Sequence, residues 1–367
     1  MKVVFDSQIF ELQRHGGISR YVTELALAMA RLPEVQARVL APLHVNALLA
    51  GSGAPTAGPA ACVPGWPARL RQPLAAAWSA AWLALGPPDV LHATYYGRHR
   101  RPRGAGRLVL TVHDMIHERF PGDFGPHDDT AACKRAAVAA ADHVICVSDS
   151  TRRDLCQLYG LAPERISVVP HGVRPLPAVQ GPPPLPPGAP YLLHVGARGG
   201  YKNFSLLLRA LAASAPLRTA LRVVAFGGGP WTAAERELIT RAGLGDGQVL
   251  QMAGDDALLS TLYRHAACLV YPSRYEGFGM PLLEAMALNC PVVSASGSAL
   301  PEAAGPAATY FDTESADAPA QLAAAIERAT GDPARRAELQ RLGAERAAAF
   351  TWERAARQTL QAYQRTG

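Results

Sequence analysis

The stretch YPSRYEGFGMPLLEAMA, residues 271–287, decides how the rest of the chain is read. It begins at the end of a short apolar run, Cys268 to Tyr271, crosses a loop containing Gly277 and Gly279, and enters a helical pattern starting near Pro281. A strand that feeds a helix through a glycine loop is one step of a parallel sheet covered by helices. The same step recurs on both sides of it. Upstream lie the runs Tyr191 to Val195, Arg222 to Phe226 and Val249 to Met252, with helical patterns over Asn203 to Ala213, Trp231 to Ala242 and Asp256 to Ala266. Downstream, a helix over Pro281 to Leu288 leads to Val292 to Ala295.

Further toward the N-terminus the alternation stops. Residues 174–190 contain eight prolines and no apolar periodicity, so they form neither a regular helix nor a central strand. They read as a linker. Before them the alternation returns, with strands at Lys2 to Phe5, Ala37 to Leu40, Val90 to His92, Leu108 to Val112, His143 to Val147 and Ile166 to Val169, and a helix over Ser19 to Leu32. The fold class is α/β, two Rossmann-like domains in tandem: residues 1–173, the linker 174–190, and residues 191–350. An amphipathic helix over 351–365 is expected to pack back on the first domain.

The bulk numbers agree with two buried cores. The chain has 367 residues, 49% hydrophobic and 18% charged, a globular composition. Its six cysteines form no CxxC pair and read as reduced core thiols. Met1 to Asp6 runs straight into a strand pattern without the regions of a signal peptide, which predicts a cytoplasmic protein. The most apolar helical stretch, Leu74 to Gly86, is shorter than the roughly 20 residues that span a bilayer. The formal net charge is +6, concentrated at Arg98, His99, Arg100, Arg101, Arg103 and Arg107, which suggests an anionic partner.

In open parallel sheets ligands bind beyond the carboxyl ends of the strands. Four such places carry chemistry. In the 271–287 segment, a helix start preceded by Gly277 and Gly279 offers backbone N–H groups and a positive dipole end to a diphosphate. Two carboxylates there, Glu276 in the loop and Glu284 one turn into the helix, suit sugar hydroxyls, which need acceptors. In Gly196 to Asn203, Arg198 and Lys202 flank a glycine pair and would neutralise a diphosphate leaving group. In Arg14 to Tyr21, Gly16 and Gly17 open a helix and allow close backbone approach to phosphate or sugar. Neither this turn nor Gly227 to Pro230 has the full GxGxxG spacing, which argues against an NAD dehydrogenase. In Thr111 to Glu118, His113 ends an apolar strand. His113 and His117 are four residues apart, but the zinc-protease pattern needs a Glu directly after the first His on a helix, so no metal is expected.

Taken together, these segments resemble the retaining glycosyltransferases of family 4, of GT-B architecture, over nearly the whole chain. The resemblance rests on Gly16-Gly17, His113-Asp114, the stretch Val147 to Leu155, Val169 to Val173, the Lys202-Asn203 loop, and above all Glu276 and Glu284 eight residues apart. It implies two domains facing a central cleft and transfer without a cofactor or metal. Glu284 would bind ribose hydroxyls, and Glu276 would face the transferred sugar. Backbone groups at Gly279 and Met280, with Arg198 and Lys202, would hold the diphosphate. Gly16 and Gly17 would close on the phosphates, and His113 would contact the donor sugar. The implied catalytic set is therefore Glu276, His113, Lys202 and Arg198; the donor-binding set is Gly16, Gly17, Gly279, Met280 and Glu284. The chain departs from the family pattern at Ala197 and Tyr201, where Arg is common, and at His171, where Asn is common. Within the family the GGISRY opening and VPHGV turn resemble bacterial mannosyltransferases of surface-polysaccharide assembly, which points to GDP-mannose as donor.

The implied partners are a nucleotide-diphosphate sugar, a glycan or polyprenyl-diphosphate-linked acceptor, and a peripheral contact at the inner membrane face, with no nucleic acid. Trp66, Trp78 and Trp82 lie beside or within the segment Pro67 to Leu85, which reads either as a helix lying on a membrane or as a buried core helix. Two rival functions stay open. A nucleotide-sugar epimerase of the same architecture would bind the donor alike but need no acceptor. A non-catalytic anionic-polymer-binding protein would account for the pI of about 9.1 and need neither Glu276 nor Glu284.

Overall fold

The computed structural model describes residues 1–97, 106–174, 176–177, 179, 181–245 and 247–365. The basic residues Arg98, His99, Arg100, Arg101 and Arg103 lie outside the described residues; Arg107 opens a strand. The chain divides into two compact units, Met1–Gly172 with Thr351–Gly367, and Val173–Phe350.

Among the described residues the first unit contains eight strands: β1 (Lys2–Phe5), β2 (Gln36–Val39), β3 (Leu43–His44), β4 (Ala61–Cys62), β5 (Val90–Ala93), β6 (Arg107–Val112), β7 (His143–Cys146) and β8 (Ile166–Val168). Six form one sheet in the order β2-β1-β5-β6-β7-β8, paired in parallel throughout, while β3 and β4 pair separately. β5 and β7 are buried along their whole length, because helices cover both faces of a parallel sheet. The strand order reverses between β1 and β5. There the following connections leave in opposite directions and open a crevice.

The Trp352–Arg365 helix closes this unit. Its sequence WERAARQTLQAYQR buries Ala355, Ala356, Thr359, Leu360, Ala362 and Tyr363 on one face, and all of these but Thr359 join a core shared with Phe5, Leu25 and Met29. Tyr363 Oη is 2.5 Å from His92 Nδ1, and His92 Nε2 is 2.8 Å from Thr111 Oγ1, which is 3.3 Å from Tyr21 Oη. This buried chain of hydrogen bonds joins the helix to β5, β6 and the Gly17–Met29 helix. Gly172 lets the backbone pass: a Cβ there would stand 2.3 Å from the Trp352 nitrogen.

The helix Ala68–Leu85 is exposed over most of its surface, burying only Arg71, Ala75 and Leu83. The buried-core reading of this segment does not hold, since alanines on several sides leave little apolar area to pack inward. No helix among the described residues is long and apolar enough to cross a membrane. The six cysteines are all free thiols, but only Cys146, Cys268 and Cys290 are buried, and Cys62 is exposed.

The second unit is one six-stranded parallel sheet of β9 (Tyr191–Val195), β10 (Arg222–Phe226), β11 (Val249–Met252), β12 (Cys268–Tyr271), β13 (Val292–Ala295) and β14 (Ala308–Phe311), in the order β11-β10-β9-β12-β13-β14. This is the 3-2-1-4-5-6 order of a dinucleotide-type fold. Its direction reverses between β9 and β12, the strands that precede the two glycine loops. The edge strand β14 has no counterpart in the strand pattern read above, because ATYF is short and follows a Gly-Pro turn.

Candidate functional site

At the β9/β12 crevice, Gly196 follows β9 with φ +115°, turning the chain into a short turn over Gly200–Lys202. Across the crevice, β12 leads through 272–279 into the helix Met280–Ala287. Gly279 takes φ +104°, and a Cβ on it would come within 2.8 Å of Leu300 Cδ2, so only glycine fits this helix entry. No side chain caps that N-terminus. Its backbone N–H groups carry the positive end of the helix dipole.

The two loops meet through charge. Lys202 Nζ donates to Glu276 Oε1 at 2.7 Å and lies 3.4 Å from Tyr271 Oη. Glu276 is buried, at 8% exposure, and its backbone N–H donates to Ser298 Oγ at 2.9 Å from the loop after β13. Burial, aided by the Glu276 charge, pushes the Tyr271 phenol well above its usual range, so it stays protonated. One turn into the helix, Glu284 accepts from Tyr263 Oη at 3.3 Å and is half-buried.

Arg198, expected to help hold a diphosphate, makes its hydrogen bonds within the protein. Its Nε donates to Glu235 Oε1 at 2.6 Å, its Nη1 to Gly227 O at 2.8 Å, and its Nη2 to the carbonyls of Gly229 and Pro230. The guanidinium also lies 4.4 Å from the centre of the Trp231 ring. Successive positive φ angles at Gly227, Gly228 and Gly229 turn this loop so that its carbonyls converge on the cation. The guanidinium in turn holds the Glu235 carboxyl down to about 2. Arg198 therefore clamps the loop after β10 to the loop after β9.

In the first unit, His113 follows β6. Its backbone N–H donates to Tyr96 Oη at 3.3 Å, its ring meets Tyr21 edge-on at 4.9 Å, and its Nε2 has no hydrogen-bond partner among the described residues. Burial first, then the neighbouring His171, pushes its pKa well below the usual imidazole value, so the ring is neutral. The loop it begins is anchored by fully buried Lys134, whose Nζ donates to the Asp114 carbonyl at 2.9 Å and to Glu118 Oε2 at 2.8 Å. His117 stacks on Phe124 at 4.0 Å. Among the described residues no cluster of three or more His, Cys, Asp or Glu side chains is placed to hold a metal ion.

Gly16 caps the Gly17–Met29 helix, and a Cβ there would overlap the Gln13 side chain, whose Oε1 accepts the Ser19 N–H at 3.3 Å. Beside Gly17 the space is open. Close by, at the β1/β5 crevice, lies a cavity of about 570 Å³ lined by Gln8, Glu11, Gln13, Gln72, Tyr95 and Asp129, among others. Its walls are fixed: Gln8 Nε2 donates to Asp6 Oδ2 at 2.7 Å, and Gln8 Oε1 accepts the Gly97 N–H at 2.5 Å. Sequence reasoning missed this cavity, along with Tyr263, Tyr271 and Ser298. Tyr271 ends a strand and was open to notice on that ground. Ser298 and Gln72 stand in segments with no motif, and nothing in the sequence marks them.

Two family models cover the chain. Residues 15–175 match Glycosyltransferase Family 4 and residues 179–346 match Glycosyl transferases group 1. The D-inositol 3-phosphate glycosyltransferase 1 of Catenulispora acidiphila is 33% identical over 306 residues, 76% of this chain and 73% of its own. The O-antigen chain mannosyltransferase B of Escherichia coli is 29% identical, over 71% of each chain. Among solved structures, the sucrose-phosphate synthase of Thermosynechococcus elongatus superposes with a TM-score of 0.76 at 24% identity, over 99% of this chain and 98% of that one. Anabaena HepE, solved with UDP and glucose, gives 0.70 at 19% identity over 98% of each. With two parallel-sheet units of Rossmann type, GT-B glycosyltransferases as its structural neighbours and relatives of this identity, the chain belongs to the group 1 glycosyltransferases of family 4.

Proposed function

We infer that this enzyme is a retaining, metal-independent hexosyltransferase that moves mannose from GDP-mannose to a glycan or polyprenyl-diphosphate-linked acceptor, working at the inner face of a membrane. The observation that carries the donor side is the Lys202–Glu276 pair, at 2.7 Å, beside an uncapped helix N-terminus at the β9/β12 crevice. A diphosphate gains from the helix N-terminus and the lysine, and sugar and ribose hydroxyls gain from Glu276 and Glu284. Binding of a donor phosphate would draw Lys202 from Glu276 and free that carboxylate for the sugar. Arg198 supports this arrangement by positioning the loop, and Gly279 and Met280 offer backbone donors. The neutral imidazole of His113 suits a sugar hydroxyl, and open space beside Gly17 suits a phosphate.

No second carboxylate need act as base if the departing phosphate oxygen takes the acceptor's proton on the same face, which retains the anomeric configuration. For the acceptor, the amides and carboxylates of Gln8, Gln72, Glu11 and Asp129 beside Tyr95 offer the mix of hydrogen-bonding groups and an aromatic face that carbohydrates require. The mannose assignment draws on the O-antigen mannosyltransferase relative; the inositol-phosphate glycosyltransferase relatives favour a second reading with another donor and a phosphorylated polyol acceptor.

Calorimetric titration with GDP, UDP and ADP, each with and without EDTA, tests the reading. The expected result is binding of GDP in preference to the others, unchanged by EDTA and weakened at least about tenfold in Glu284→Ala. Preference for UDP would remove GDP-mannose, sensitivity to EDTA would remove metal independence, and unchanged binding in Glu284→Ala would remove the ribose assignment.

A further inference from the structure

Most of the large apolar side chains exposed among the described residues gather on one helix of the first unit, whose Gln72 borders the cavity beside Tyr95. Eight large hydrophobic side chains are exposed among the described residues, and five of them, Trp66, Leu70, Leu74, Trp78 and Leu85, belong to the Ala68–Leu85 helix and the residue two before it. All five are at least 50% exposed, and Leu85 reaches 90%. At about 100° per residue, Leu70, Leu74, Trp78 and Leu85 fall within about 80° of arc, and Ala77 and Ala81 fill the space beside them. No polar side chain interrupts that face. The flank next to it is held to the unit: Arg71 donates to the carbonyls of Trp66 and Glu11 at 3.1 and 3.0 Å, Ala75 is fully buried, and Lys2 lies 5.3 Å from the Trp82 ring. A helix anchored on one side and apolar on the other is the form taken by helices that lie in a membrane interface, with Trp at the headgroup level.

Charge identifies the occupant. From Val35 to Pro88 the chain has no Asp or Glu, while it carries Arg38, Arg69 and Arg71. Arg38 and Arg69 are exposed. Arg71 is buried beneath the helix, so a second copy of this chain docked through the same face would bring Arg69 to Arg69 with no carboxylate from this stretch to receive either. An anionic lipid surface meets both the apolar face and the arginines.

We propose that the Ala68–Leu85 helix docks the enzyme on an anionic lipid bilayer, inserting Leu70, Leu74, Trp78 and Leu85 at the headgroup boundary with Trp66 beside them. This rests on the membrane location proposed above and is independent of the donor assignment. The test is co-sedimentation of the full chain with vesicles of phosphatidylethanolamine and phosphatidylglycerol, compared with phosphatidylcholine alone. The expected outcome is binding to the anionic vesicles, quenching of tryptophan emission by brominated lipid that falls in Trp78→Phe, and at least tenfold weaker partition in Leu70→Glu/Leu74→Glu. Both leucines are exposed, so that variant should fold and bind nucleotide as the parent does. The proposal is overturned if the parent ignores vesicles, or if the double variant binds them equally well. Self-association of the parent that the double variant abolishes, without lipid binding, would assign the face to a second copy instead.

Discussion

A salt bridge buried in a crevice has consequences that a surface pair lacks. The side chains of Lys202 and Glu276 are 16% and 10% exposed, so removing either leaves the other charge desolvated without its partner. Breaking such a pair costs about 3–5 kcal/mol. Lys202→Ala and Glu276→Gln should each lower turnover by about a hundredfold or more, while the double variant should cost stability less than the sum of the two. Thermal melts of the four proteins, with single-turnover rates, check this. Additive losses in stability would mean that the two side chains do not act as a pair, and an undiminished rate in Lys202→Ala would move leaving-group stabilisation to the helix N-terminus. At this scale, the places of Glu276, Gly279 and Lys202 were legible because each lies in or beside a glycine turn after a strand, with Glu284 one turn into the helix that follows; the roles given to them are proposals. The commitment of Arg198 to Glu235 was not, since it depends on how the Gly227–Gly229 loop folds across from it.

Among elements, the helix that closes the first unit shows how a distant segment completes a domain. Its apolar stripe is plain in the sequence, but its seat depends on a glycine far upstream. In Gly172→Ala the new Cβ would meet the Trp352 backbone nitrogen and Cα at 2.3 and 2.6 Å, positions that a side-chain rotation cannot relieve. Displacing the helix should cost about 3 kcal/mol. Tyr363→Phe should cost about 1–3 kcal/mol, because His92 Nδ1 loses a buried partner. Urea denaturation of both variants checks the pair, and a Gly172→Ala protein as stable as the parent would show that the helix is seated differently.

For the whole molecule, buried imidazoles set an acid limit. Burial lowers the pKa of His92 and His171 to about 3 and of His194 to about 4, and pushes His113 well down. Unfolded imidazole titrates near 6.5, so these groups are neutral in the folded chain where the unfolded chain is protonated. Their contribution to stability is complete above about pH 6.5 and is lost as pH falls from there toward 3–4, at about 1.4 kcal/mol per pH unit for each imidazole. Three of the four lie in the first unit. Calorimetric scans between about pH 7.5 and 5 should show its melting transition falling more steeply than that of the second unit. Transitions that stay parallel over this range would show the imidazoles to be solvated in solution.

The sequence alone determined the α/β class, the position of the Pro-rich stretch, the family resemblance and the glycine loops that follow β9 and β12. These are local properties: strand and helix periods, proline's missing donor, and glycine's freedom after a strand. Tertiary structure alone decided the strand orders with their two crevices, the pairing of Lys202 with Glu276 and of Arg198 with Glu235, the cavity beside Tyr95, and the exposure of the tryptophan-bearing helix. Each of these depends on which residues distant in the chain come within a few ångströms of one another, and that is set by how helices cover a sheet rather than by any residue's own preference.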